Sequence, residues 1–200
     1  MFSDEAKYEE IMGLTHWMIF TDGKSLFAKN YIRDSKVFTL LKDQEEITSL
    51  AVDANKGYIF FSIQSDSDSS YVNRYSIEID ASDPKNPLIS LNETSMLEVM
   101  QGQEIVSIAV DHDQSILYVA DSGEKKIKNL KYAPEMLTII NSEIGLEDVM
   151  YSQLHNMNHI SSVTIDLYGD IYWSFDKYGK EQGVVAKASA DSPGVDTIEV

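Results

Sequence analysis

The sequence predicts an all-β chain built from repeated four-stranded antiparallel sheets. Three observations support this prediction. A seven-residue template, Ile-x-Ser-apolar-small-apolar-Asp, occurs at residues 47–53, 105–111 and 160–166 of the 200-residue chain, at spacings of 58 and 55 residues. Within each copy, large and small side chains alternate with the period of a β-strand. Each copy is followed by a short segment rich in hairpin-turn residues and then by a second apolar run.

The template strand itself is expected to be buried on both faces. In the second copy, Ile108 and Val110 point to one face, whereas Ser107 and Ala109 point to the other. A half-exposed strand would carry charged residues on its outer face, and neither of these faces does. The small residues allow a neighbouring sheet to approach closely, as the narrow inner end of a wedge-shaped blade requires.

Further strands follow each template copy at similar offsets. Second strands are predicted at residues 59–62, 116–121 and 171–176, third strands at 71–79, 126–132 and 183–188, and fourth strands at 88–91, 136–140 and 197–200. Four antiparallel strands that repeat every 55 to 58 residues are typical of a β-propeller blade.

A partial blade precedes the first template copy at residues 16–42. It contains three predicted strands, at residues 17–22, 25–31 and 36–41, whereas the residues before it do not fit the template. For residues 1–15 we predict an N-terminal arm with a short helix. The chain therefore holds about three and three-quarter blades.

The complete blades are predicted at residues 46–100, 104–142 and 160–200. Between the last two, residues 143–159 break the strand pattern, because their apolar residues fall near helical spacing. We predict a short helical or irregular insertion between blades at this point.

The second strands carry a family resemblance. The run Leu-Tyr-Val-Ala-Asp-Ser-Gly at residues 117–123 resembles an NHL-type repeat, and residues 17–22 and 172–176 resemble the Tyr-Trp-Thr-Asp repeat of the LDL-receptor class. Both resemblances imply a six-bladed propeller of the TolB-like kind, of which this chain forms a part. Residues 59–62 lack the terminal Asp, and the chain contains no Cys. A lipoprotein-receptor role, which would require flanking Cys-rich modules, is therefore not supported.

The same resemblance implies a structural role for the Asp residues of the motifs. In such families these residues usually bond the turns of their own blade, and a carboxylate at a strand end can accept backbone N–H groups. The residues concerned are Asp53, Asp111, Asp166, Asp121 and Asp176. A cation site on the propeller axis, formed by the first three, is the alternative.

The charge of the chain restricts its partners. With 33 acidic and 16 basic residues, the net charge is −17. Such a chain is unsuited to nucleic acid or to an anionic membrane surface, and it favours a basic protein partner. The basic cluster Lys125, Lys126, Lys128 and Lys131 is either a solvated edge or a contact point for an acidic partner.

Metal and catalytic motifs are poorly matched. The loops that begin at Asp66 and Asp111 have alternating oxygen ligands but lack the Gly and Glu that an EF-hand needs at positions six and twelve. His155 and His159 are four residues apart, without a third ligand at a recognised spacing. The sequence contains no nucleophile elbow, zinc-protease motif or phosphate-binding glycine loop.

These observations favour a non-catalytic scaffold or protein-interaction module without a cofactor, as part of a larger propeller or assembly. A calcium-dependent lactonase or esterase-like hydrolase with a metal in the central channel is the alternative, because some six-bladed relatives have that activity. The open sheet edges at the two ends predict self-association or completion by other blades.

The sequence does not define a compartment. It has neither a basic-then-apolar leader nor an apolar run of about 18 residues. The resemblance to the LDL-receptor class is compatible with an extracellular protein or a receptor-ectodomain fragment. In a secreted protein, Asn92 would be the expected glycosylation site, because it begins the sequon Asn-Glu-Thr.

Overall fold

A computed structural model describes residues 16–31, 36–65, 69–83, 87–132, 157–177, 183–189 and 192–199. Within these ranges, every regular element is a β-strand. The fourteen described strands form four antiparallel sheets, which we number as blades 1 to 4 in chain order. The predicted all-β architecture of antiparallel blades is confirmed. The described part of the chain holds no helix with the length and apolarity needed to cross a membrane.

The first two blades contain seven of these strands. Blade 1 is formed by β1 (Trp17–Thr21), β2 (Leu26–Asn30) and β3 (Phe38–Leu41). Blade 2 is formed by β4 (Glu46–Asp53), β5 (Tyr58–Gln64), β6 (Ser70–Asp80) and β7 (Leu88–Gly102). In both blades, each strand pairs with the next one along the chain.

The last two blades contain the other seven strands. Blade 3 is formed by β8 (Ile105–Asp111), β9 (Ile116–Asp121) and β10 (Lys126–Lys131). Blade 4 is formed by β11 (Met157–Ile165), β12 (Ile171–Lys177), β13 (Gly183–Ser189) and β14 (Ser192–Glu199). The three template copies lie on the first strands of blades 2 to 4, β4, β8 and β11, which we call the inner strands; Asp166 of the third copy directly follows β11.

Three predicted boundaries need correction. The fourth strand of blade 4, predicted at residues 197–200, is β14 and already begins at Ser192. The fourth strand of blade 2 is far longer than residues 88–91, because β7 follows β6 along its whole length through two irregularities in register. The predicted insertion at 143–159 is wrong at its end, because residues 157–159 belong to β11 and pair with β12. Its other residues lie outside the described ranges, as do the predicted arm at 1–15 and the predicted strand at 136–140.

The three inner strands share one irregularity at the second template position. The register shifts between Ile47 and Ser49 in β4, between the corresponding Ile and Ser of β8, and again in β11. A bulge of one residue accounts for such a shift and bends the strand. Beyond the bulge, template positions three and five face the same side of the blade.

The hydrophobic core lies between successive blades. Leu26 and Ala28 of blade 1 are buried near blade 2, and the aromatic ring of Phe60 lies between blades 2 and 3. Trp173 and Phe175 of blade 4 pack against blade 3. Among the described residues, none of these clusters joins blade 1 to blade 4.

Candidate functional site

The Asp at the end of each inner strand holds the turn that follows it. Asp53, Asp111 and Asp166 each accept two backbone N–H groups on Oδ1, which closes an Asx-type turn. The donors are Asn55 and Lys56, Asp113 and Gln114, and Tyr168 and Asp170, at 2.8–3.1 Å. One oxygen of each carboxylate is thus already engaged within its own hairpin.

Asp53 also connects blade 2 to blade 3. Its Oδ2 accepts a hydrogen bond from the hydroxyl of Tyr132 at 2.7 Å, and Lys56 Nζ lies 3.4 Å from the same oxygen. His112 Nδ1 lies 3.4 Å from Oδ1. Asp53 is fully buried and Tyr132 is 4% exposed, so the contact is shielded from water. A buried charge of this kind is tolerated because it is both paired and hydrogen-bonded.

The pair changes the pKa of both groups. Burial alone would raise the pKa of Asp53, but the hydrogen bond from Tyr132 and the charge of Lys56 outweigh it and hold this pKa below its ordinary value. Burial, and then the neighbouring carboxylate, raise the pKa of Tyr132 above its ordinary value.

Asp121 is bonded through both of its carboxylate oxygens. Its Oδ1 accepts the N–H groups of Glu104 and Glu124 at 3.1 and 3.0 Å. Its Oδ2 accepts the N–H of Gln103 at 3.1 Å and Nζ of Lys128 at 2.9 Å. The fully buried side chain therefore fastens the end of β9 to the segment through which the chain enters blade 3.

Gly102 permits this close approach. A Cβ at that position would lie 2.3 Å from Oδ2 of Asp121 and 2.9 Å from Cγ1 of Ile105.

Burial alone would raise the pKa of Asp121, but the N–H of Glu124 and the ammonium of Lys128 outweigh it, so the pKa is lowered.

Lys128 serves the interior of the blade rather than an open surface. Its Nζ also lies 2.5 Å from Oε1 of Glu124, and its side chain is 14% exposed. Lys126 Nζ lies 3.9 Å from the other oxygen of the same Glu. The contact of this lysine cluster with a partner stays a prediction. Lys125 and Lys131 are its exposed members.

Asp176 lies near the end of the second strand of blade 4, but it is one position beyond the counterpart of Asp121, because Asp121 pairs with the first template residue of its blade and Asp176 does not. It is exposed, however, and it lies opposite His159 on β11 and Gly183 on β13. Asp121 and Asp176 end similar sequence motifs but have different surroundings, since Asp121 is a buried charge and Asp176 is exposed.

The Ser at the third template position makes a contact that sequence reasoning missed. Ser49 Oγ accepts the N–H of Ile108 at 3.1 Å, and Ser107 Oγ accepts the N–H of Val163 at 3.2 Å. Each donor is the fourth template residue of the next blade. The signal was the repeated Ser itself, which we interpreted only as a small residue.

Asn92 lies where β7 leaves the register of β6. The register shifts between Asn92 and Leu97, and the hydroxyl of Thr94 donates to Asn92 Oδ1 at 2.7 Å. The amide of Asn92 donates to Oε1 of Glu78 at 2.7 Å. Glycosylation at this residue stays a prediction.

The predicted metal-binding segments are only partly described. His155 and residues 66–68 lie outside the described ranges, and His159 Nδ1 contacts the hydroxyl of Ser122. Within those ranges, no three side chains of His, Asp or Glu are grouped so that they could hold a metal ion.

The pKa directions predict how stability depends on pH. Asp53 and Asp121 have a lower pKa in the folded chain than the value of about 3.9 expected in the unfolded chain. The stability that they contribute is complete above that value and is lost as the pH falls toward their folded pKa. Tyr132 has a raised pKa, so its contribution is complete below about pH 10 and is lost as the pH rises above it.

Urea unfolding measured across the pH range is the test. We expect a plateau at neutral pH, an acid limb below about pH 4 and an alkaline limb above about pH 10. The alkaline limb should shrink in Tyr132→Phe. An acid limb that is unchanged in a chain carrying Asp53→Asn and Asp121→Asn would contradict the assignment.

Similar solved structures place the chain among β-propellers. No family model and no curated protein matches the sequence significantly. A chain of the nidogen/laminin complex superposes with a TM-score of 0.60 at 14% identity, over 92% of this chain and 61% of that chain. A chain from the complex of S. cerevisiae dbp5 with nup159, gle1, ip6 and adp gives a TM-score of 0.52 at 11% identity, over 92% and 45%.

This chain thus spans 61% or less of the length of those two structures. At such identities the likeness shows the fold alone, and that fold is a β-propeller.

Proposed function

We propose that this chain is a β-propeller segment that acts as a non-catalytic scaffold or protein-interaction module, as part of a larger propeller or assembly. The observation that carries the proposal is the use of the motif carboxylates. Asp53, Asp111 and Asp166 are bonded to their own turns, and Asp121 is bonded to Lys128 and to backbone N–H groups. Carboxylates engaged in this way position the backbone instead of activating a substrate.

The junctions between blades support the role of a rigid platform. Ser49, Ser107 and Tyr132 each bond across a junction between neighbouring blades. Because these bonds use backbone groups and buried or partly buried side chains, they fix blade 2 against blade 3 and blade 3 against blade 4. Loops on such a scaffold can present side chains to a partner in one arrangement. The finer type that we propose is a TolB-like propeller with NHL or Tyr-Trp-Thr-Asp repeats, on the strength of the template and of residues 117–123.

The charge supports a partner with a basic surface. A net charge of −17 attracts such a protein over a distance of about one Debye length and speeds their encounter at low salt. The exposed Lys125 and Lys131 could meet only an acidic group on the same partner. We therefore propose a mainly basic partner.

Calcium provides the test against a lactonase-type hydrolase. Thermal unfolding is measured in EDTA and with added CaCl₂, and lactone hydrolysis is followed under both conditions. A scaffold is expected to melt at the same temperature in both, because a ligand stabilises only a fold that binds it. Neither condition should produce hydrolysis.

An increase of several degrees with CaCl₂ that EDTA reverses, together with lactone hydrolysis, would overturn the proposal. The variant Asp111→Asn would then show whether the ion binds at the carboxylate of Asp111. If the calcium effect disappears in this variant, the carboxylate serves an axial cation site and not only its own turn.

A further inference from the structure

The two complete junctions between template blades are built in the same way. Small residues stand at template positions three and five, and an aromatic residue lies opposite position five. These residues are Ser49, Ala51 and Phe60 between blades 2 and 3, and Ser107, Ala109 and Tyr118 between blades 3 and 4. The two aromatic residues are 0% and 3% exposed, because the next blade covers them.

Blade 4 repeats this arrangement on its far side. Ser162 and Thr164 occupy template positions three and five, and they lie opposite Ser174 and Tyr172 of β12. Ser162 and Thr164 are exposed, and Tyr172 is half-buried. We call these four residues the receiving face. In the described part of the chain, no blade packs on it.

The receiving face also repeats the polar contact of the two junctions. Ser49 and Ser107 accept an N–H of the next blade through their hydroxyl oxygens. The hydroxyl of Ser162 holds the same template position and lies 3.1 Å from that of Ser174, in its own blade. An incoming strand would therefore find an acceptor at the same place.

The opposite end of the array carries an apolar surface. Met18 and Phe20 on β1 and Phe27 on β2 alternate with the residues that face blade 2, so they point away from it. Met18 is 51% exposed, and the two Phe rings stack at 5.5 Å. We call these three residues the leading face.

The side of blade 3 that corresponds to the leading face packs on the blade before it. There, Leu117 and Val119 pack against the preceding blade and are 0% exposed. Large apolar residues of one blade thus cover the small residues of the blade before it. In the ranges that the structure describes, a surface of the first kind is uncovered at one end of the array and a surface of the second kind at the other.

We infer that two copies of this chain associate head to tail, with the leading face of one copy packed on the receiving face of the other. Burial of exposed apolar groups such as Met18 drives the contact. The inference rests on the proposed role as an interaction module, and it adds a second copy of this chain to the basic partner proposed above. Such a contact is heterologous, so each copy keeps one open face for a further copy.

The net charge of the copies sets the salt dependence. Each carries −17 and repels the other, and added salt screens this repulsion. In sedimentation equilibrium, the average mass is therefore expected to rise above 22.5 kDa with protein concentration, and to rise further with NaCl.

Two variants block one end each. Met18→Glu places a charge on the leading face, and Thr164→Arg places a large charged side chain on the receiving face. Each variant alone is expected to be monomeric, because it lacks one of the two faces. An equimolar mixture is expected to form a dimer of twice 22.5 kDa and nothing larger, because each copy contributes its intact face.

Met96→Glu is the matched control. Met96 on β7 is 51% exposed, as Met18 is, but it belongs to neither face. This variant should associate like the unaltered chain, and all variants should melt at similar temperatures because the altered residues are exposed.

A monomeric unaltered chain at all concentrations and salt conditions would overturn the inference. It would also be overturned if the unaltered chain associates while the mixture of the two variants stays monomeric. Either result leaves the proposed scaffold role in place, since calcium and lactone measurements test that role separately.

Discussion

Replacing Asp121 with Asn is expected to lower the free energy of unfolding by about 3–5 kcal/mol, the usual cost of breaking a buried ion pair. The carboxylate is fully buried and accepts four hydrogen bonds, one of them from Lys128. In Asn, an NH2 group replaces one of the two oxygens, and this donor would face N–H or ammonium groups that are donors themselves. Urea unfolding by circular dichroism at neutral pH measures the loss.

Asp176→Asn is the matched control for this change. It makes the same substitution near the end of the second strand of another blade, on an exposed side chain. The effect should stay within about 0.5 kcal/mol. Equal effects of the two substitutions would show that the bonds of Asp121 do not stabilise the fold. In a chain that already carries Asp121→Asn, Lys128→Met should cost less than it does in the unaltered chain, because the pair with Asp121 is already broken and the pair with Glu124 remains to be lost.

Tyr132→Ala is the second large change, expected to cost about 3–5 kcal/mol. The ring of Tyr132 packs at 4.8 Å from that of Phe60 and at 6.4 Å from that of Tyr58, and its hydroxyl bonds Asp53. Truncation therefore opens a cavity between blades 2 and 3 and leaves a buried carboxylate with one donor fewer. Urea unfolding is again the measurement.

Tyr132→Phe separates the two contributions. It keeps the ring and removes only the hydrogen bond to the carboxylate, which should cost about 1.5–3 kcal/mol. A loss as large as that of Tyr132→Ala would mean that ring packing contributes nothing. No loss at all would show that the bond to Asp53 is not formed in solution.

Much of the blade architecture could be predicted from the sequence because it depends on local patterns. The template at 105–111 coincides with β8, and the predicted second strand at 116–121 coincides with β9. Strand alternation and hairpin turns involve residues close in the chain. The turn bonds of Asp111 are equally local, since its donors lie two and three residues further on.

Features that depend on distant residues were not predicted. The length of β7 follows from its pairing with β6, and the interior role of Lys128 follows from a carboxylate seven residues away on the paired strand. The contact of the template Ser with the next blade joins residues 59 positions apart in one case and 56 in the other. The spacing of residues in the sequence does not show which distant residue such a side chain contacts.

The sequence by itself determined the strands, their grouping into blades and the turns, because each is set by the alternation and turn chemistry of neighbouring residues. The tertiary structure alone decided which of two similar Asp residues is a buried charge. Asp121 is covered by the segment that enters blade 3, whereas Asp176 is exposed. It also decided which faces stay uncovered, since burial depends on the packing of blades that lie far apart in the chain.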